Sequence, residues 1–279
     1  MLRGLLLVLV CASAASAQPK PVCAFQPDAD VPAWISCGSI SGDASYDDMV
    51  EAATQSRLTG FRWVLQMGYS ALPTAPAGPV AALAMFKAQD AGLWPYVVAV
   101  NYGEEWYERF FAGEFTSYGC APSVAECLPI IHDWMGRQHA AIKAVTGKPV
   151  IWLTGMVIPG RLVPAHTDLV AIDYYPRDGQ SFAESVDPVV HAALIQTDLP
   201  LVLIPRWFKN TGPYQGAHWQ AGAQEPLAAW ADGYARWLTH PRVVALWGFL
   251  WASRPYADLV GLRDMPAYQA AVKRSLGVK

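Results

Sequence analysis

"AQDAGLWPYVVAVNYGEEWY", residues 88–107, holds three signals in one run. A stretch with helical periodicity stops at Gly92, as helices commonly do. An apolar run then closes on Asn101 and Tyr102, and two adjacent acids, Glu104 and Glu105, follow at once. A strand this apolar has both faces covered. A helix on one side and polar groups at its carboxyl end make it one unit of a repeating helix–strand pattern.

The same pattern extends in both directions. Further strands are predicted at 34–40, 60–67, 149–155, 168–175, 200–208 and 242–251, making seven with 93–102. Between them, residues 46–58, 77–92, 127–147, 181–197 and 225–240 repeat apolar side chains at three-to-four spacing and end near Gly or a turn. Alternating strands and helices require a parallel sheet with crossover helices. No Gly-rich phosphate loop follows the first strand, which counts against a nucleotide-binding doubly wound sheet. The expectation is therefore an α/β fold, a (β/α)8 TIM barrel, irregular or incomplete, with its eighth strand to be sought in 111–122 or 155–167.

Residues 1–17 read as a secretory signal peptide: Arg3, an apolar stretch from Leu5 to Val10, and an Ala15-Ser16-Ala17 ending. Val10 before Cys11 does not suit a lipobox, so cleavage after Ala17 and a secreted or periplasmic product are expected. No later apolar run is long enough to span a bilayer. Residues 18–279 then form one barrel domain, expected to be a monomer. A net charge of −3 over 279 residues supplies no clustered basic surface for nucleic acid or anionic lipid.

Beyond the signal peptide the cysteines are Cys23, Cys37, Cys120 and Cys127, an even number in an exported chain, so two disulfides are expected. Of the three connectivities, the local one joins Cys23 to Cys37 and Cys120 to Cys127. The spacings are not those of a zinc site, and no histidine cluster accompanies them. No Gly-x-Ser-x-Gly elbow is present. Neither a metal nor another cofactor is expected.

Barrel active sites are built at the carboxyl ends of the strands. Here those ends carry Ser39, Ser41 and Asp43; Gln66 and Tyr69; Asn101, Glu104, Glu105 and Trp106; Thr154; Asp173, Tyr174 and Tyr175; Arg206 and Trp207; and Trp251, Ser253 and Arg254. Acids, amides and aromatic rings suit a carbohydrate, whose C–H faces stack on rings while its hydroxyls take hydrogen bonds. Trp63, Trp106, Trp207 and Trp251 are the candidate stacking platforms, with core packing as the alternative use of such rings.

Taken in order, "AQDAGLWPYVVAV" resembles the helix and strand that commonly precede the acid-bearing strand of the glycoside hydrolases built on a TIM barrel, "GEEWY" the Asn-Glu or Asp-Glu-Pro ending of that strand, and "DLVAIDYYP", "PLVLIPRWF" and "VVALWGFLW" their sixth, seventh and eighth strands. The resemblance covers most of the chain through short, degenerate motifs. It implies that Glu105 is the general acid and that Glu104 stands where these enzymes keep an Asn or Asp neighbour. Adjacent acids split their pKa values, so that one can hold a proton near neutral pH. Glu104, Glu105 and Glu108 also suit a helix amino terminus, whose dipole favours acids.

The chain departs from that pattern at the seventh strand, where Pro205, Arg206 and Trp207 replace the usual glutamate nucleophile. A two-carboxylate mechanism then needs its second acid elsewhere: Asp173 first, Asp43 second. Asp173 equally suits a structural partner of Arg206. Arg206 itself could neutralise a uronate or hold an acid in place. Three functions are consistent with these residues: a glycoside hydrolase, a barrel that binds glycan without cutting it, and a structural exported protein.

Overall fold

The computed structural model describes residues 20–25, 27, 31–67, 77–104, 106–124, 126–155, 167–175, 181–210, 227–253 and 259–278. The strands are β1 (Val22–Ala24), β2 (Cys37–Ser41), β3 (Arg62–Gln66), β4 (Val97–Glu104), β5 (Val150–Thr154), β6 (Leu169–Ile172), β7 (Leu201–Leu203), β8 (Phe208–Asn210), β9 (Val243–Gly248) and β10 (Leu259–Gly261). The helices are α1 (Tyr46–Thr59), α2 (Ala77–Asp90), α3 (Trp106–Phe111), α4 (Cys127–Thr146), α5 (Phe182–Gln196), α6 (Leu227–Leu238) and α7 (Pro266–Ser275). Eight strands close into a parallel barrel in the order β1, β2, β3, β4, β5, β6, β7, β9. It is a somewhat irregular (β/α)8 barrel.

The eighth strand is β1, and the expectation that it lies in 111–122 or 155–167 is corrected. Three residues are too few to stand out as an apolar run, yet β1 pairs in parallel with both β2 and β9 and completes the ring. Residues 111–122 hold instead the end of α3 and a 3-10 turn at Thr116–Tyr118. Of 155–167, residues 156–166 lie outside the described residues.

Local chemistry explains the helix boundaries. Ser45 and Ser181 cap α1 and α5 with full capping boxes, Asp48 and Glu184 returning the bond to the cap backbone. The expected strand at 93–102 begins later because Pro95 sits in a 3-10 turn, Trp94–Tyr96. The expected strand at 200–208 is split. After Leu203 the chain passes Pro205, makes one bridge from Arg206 to Phe249, and pairs antiparallel as β8 with β10.

Alternation along each strand separates two cores. Ile151 and Leu153 belong to the cluster filling the barrel, with Val64, Ala99, Ala171 and Val202. Val150 and Trp152 belong to the layer under the helices, with Met49, Met135, Val190 and Trp230. At the base, Asp168 accepts hydrogen bonds from Val150 N and Lys143 Nζ, both at 2.8 Å, and lies 3.4 Å from His139 Nε2. Among the described residues no helix is long and apolar enough to cross a membrane.

Candidate active site at the carboxyl ends of the strands

Ser41, Gln66 and Asn101 are successive register partners across β2, β3 and β4. Val64 and Ala99, two residues earlier, lie in the barrel interior, so alternation turns Gln66 and Asn101 to the same interior face. Gln66 is 6% and Asn101 2% exposed. Backbone bonds at the same level hold both strands: Gly42 N donates to the Gln66 carbonyl at 2.6 Å and Met67 N to the Asn101 carbonyl at 2.8 Å.

The opposite wall is formed by β6, β7 and β9. Asp173 follows β6, its backbone N donating to the Thr154 carbonyl at 2.8 Å, and its Oδ1 is out of contact with solvent. Arg206 is 3% exposed, with its guanidinium 5.0 Å from the Phe208 ring centroid and 5.6 Å from that of Trp230. Tyr234 donates to the carbonyl of half-buried Tyr174 at 3.0 Å, and Tyr268 to that of Arg206 at 2.8 Å. Burial above all pushes the Tyr234 hydroxyl well above its ordinary pKa, with Tyr268 and Asp173 adding to the shift and Arg206 opposing it. Asp173, Arg206 and Tyr268 thus sit within electrostatic reach of Tyr234. The two tyrosines lie on α6 and α7 and escape a reading confined to strand ends.

The rest of that wall is aromatic. Tyr175 packs on Phe208 at 5.5 Å, Phe208 on Phe249 at 5.5 Å, and Phe249 on Phe25 at 4.9 Å. None of Phe25, Phe208 and Phe249 was a sequence candidate. Trp106, Trp207 and Trp251 are 0–1% exposed, and Trp63 donates from Nε1 to Ser56 Oγ in the outer layer. Trp106 packs on Phe115, while Trp207 and Trp251 each meet Trp34 edge-on. Among the described residues these four rings join strands to the outer shell, the core-packing use that the sequence offered as the alternative.

Glu104 is the last residue of β4, opposite Leu153 in the ladder and after an irregularity that begins at Asn101. α3 starts at Trp106, immediately beyond the two acids. Glu105, Tyr69, Arg254 and residues 1–17 lie outside the described residues. Asp43 is exposed in the turn after β2, its backbone N donating to Ser41 Oγ at 3.2 Å. No group of three potential metal ligands occurs among the described residues.

Cys23 and Cys37, register partners on β1 and β2, form a disulfide. The expected second bond is corrected: Cys120 and Cys127 are buried free thiols. Burial, then a hydrogen bond with Cys127 and its charge, raises the Cys120 thiol to about 11. Short separation in sequence does not by itself align two cysteines for bonding. Here a 3-10 turn and the first turn of α4 accommodate both as thiols, with Cys127 Sγ 3.7 Å from the Gly119 carbonyl.

No protein-family model matches the sequence, and no curated protein matches it. Solved structures do. Bacteroides uniformis beta-glucuronidase 2 superposes with a TM-score of 0.53 at 11% identity over 84% of this chain, which spans 30% of that enzyme. An exo-beta-1,4-mannosidase from an Opitutaceae bacterium gives 0.54 at 12% identity, covering 92% of this chain and 60% of its own. A chitinase from Rhizomucor miehei gives 0.53 at 10% identity, covering 91% of this chain and all of its own. The chain therefore has the fold of the TIM-barrel glycoside hydrolases.

Proposed function

We propose that this chain is an exported glycoside hydrolase that cleaves a neutral or uronate-containing polysaccharide or oligosaccharide with a pair of carboxylates. Residues 1–17 act as the leader and 18–279 as a monomeric barrel in the periplasm or outside the cell. The disulfide between Cys23 and Cys37 suits that compartment. Glu105 gives its proton to the glycosidic oxygen, Glu104 keeps that proton available near neutral pH, and Asp173 takes a proton from the attacking water. An inverting outcome follows, since a short aspartate side chain just after β6 leaves room for that water.

The observation that supports this reading is the position of Asp173: a carboxylate just after a barrel strand, on the wall that also holds Arg206. A structural neighbour that is a glucuronidase is consistent with Arg206 meeting a uronate. The second reading is a barrel that binds glycan without cutting it, favoured by Arg206 and Trp207 at the end of the seventh strand.

Cello-, manno- and chito-oligosaccharides and oligoglucuronates, assayed for binding and for new reducing ends, separate the two. Cleavage that falls by about 10² to 10⁴ fold in Glu105→Gln and Asp173→Asn, with binding retained, supports hydrolysis. Binding without cleavage supports the second reading, and no binding overturns both.

A further inference from the structure

Gln66 and Asn101 are more than nine-tenths buried, stand on adjacent strands at the same level, and face the barrel interior. Gln66 Nε2 is a donor and Asn101 Oδ1 an acceptor. Among the described residues neither atom has a partner, so the two complementary groups do not bond to each other. Leaving both buried and unmatched is costly, which is a strong reason to expect something to sit between them. Ser41, next in the row, accepts at Oγ from Asp43 N at 3.2 Å.

We propose that Gln66 and Asn101 recognise one neutral hydroxyl of the ligand, which accepts from Gln66 Nε2 and donates to Asn101 Oδ1. This rests on the glycan reading above and adds to it the group that the β3–β4 wall selects. A hydroxyl is both donor and acceptor, as this pair demands. A carboxylate would oppose Asn101 Oδ1 and an ammonium would oppose Gln66 Nε2. The facing wall carries, besides Asp173 and Arg206, the rings of Phe208 and Phe249, with Phe25 packed on Phe249. A pyranose held between the two walls turns a hydroxyl to the amides and C–H bonds to the rings. The backbone bonds at Gln66 and Asn101 hold the pair in place before the ligand arrives.

The test uses the whole secreted chain, labelled with 15N, titrated with cellotriose, mannotriose, chitotriose and triglucuronate. The Gln66 side-chain N–H resonances should shift with at least one of them. The affinity for that sugar should fall about 10- to 100-fold in Gln66→Met and in Asn101→Leu, as expected when one partner of a buried hydrogen-bonded pair is lost. A deoxy analogue lacking the recognised hydroxyl should bind the Gln66→Met protein as well as it binds wild type. Sugar binding or cleavage with unmoved Gln66 resonances overturns this inference and leaves the proposed function standing. No binding by any of the four sugars overturns both. Should a variant fail to fold, the resonances of the wild-type protein still decide.

Discussion

Gly248 and Trp207 are in such close contact that a Cβ at Gly248 would lie 2.0 Å from the indole ring. β9 therefore ends on a residue without a side chain, and the ring after β7 lies against its backbone. This contact helps to bury Trp207.

Gly248→Ala should consequently overpack the junction of β7 and β9. A loss of about 1–3 kcal/mol is expected, measured by the denaturant midpoint. An unchanged midpoint would mean that the ring swings away without strain.

The bond between Cys23 and Cys37 closes a loop with a sequence separation of 14 between the first two strands. Cys23→Ala/Cys37→Ala should lose about 3 kcal/mol, as a loop of this length predicts. Non-reducing peptide maps should show this crosslink and no other.

Cys120 and Cys127 should resist alkylation in the folded protein. With the Cys120 thiol at about 11, only about one molecule in a thousand carries the thiolate at pH 8. Iodoacetamide should label both positions after unfolding in urea and neither beforehand. Rapid native labelling would contradict their burial.

Asp168 gives a stability term with a defined pH window. Burial works against its ionisation, but hydrogen bonds from His139, Lys143 and Val150 N, with the Lys143 charge, outweigh it and lower the carboxyl from 3.8 to about 2. A lowered pKa stabilises the fold above the unfolded value and ceases to do so as pH falls through the folded one. Asp168→Asn should cost about 2 kcal/mol at pH 7, a gap that narrows between about pH 4 and pH 2. Urea titrations of both proteins across that range measure it.

The sequence by itself determined the barrel class, because strands such as 149–155 and 168–175 are apolar on both faces and alternate with amphipathic helices. It also showed the five long helices α1, α2, α4, α5 and α6, whose periodicity and caps are local properties. The strand-end candidates followed from the same alternation, since any parallel barrel brings those ends together. β1 was not legible in this way: "VCA" becomes a strand only because β2 and β9 flank it. The tertiary structure alone decided which rings are core, since Trp207 depends on Gly248 some forty positions away. It alone decided which cysteines bond, through register at Cys23 and Cys37 and its absence at Cys120 and Cys127. It alone set Gln66 beside Asn101 and brought Tyr234 and Tyr268 from the helices to Arg206, because contacts between distant segments are made by closure of the ring and leave no periodic trace in the chain.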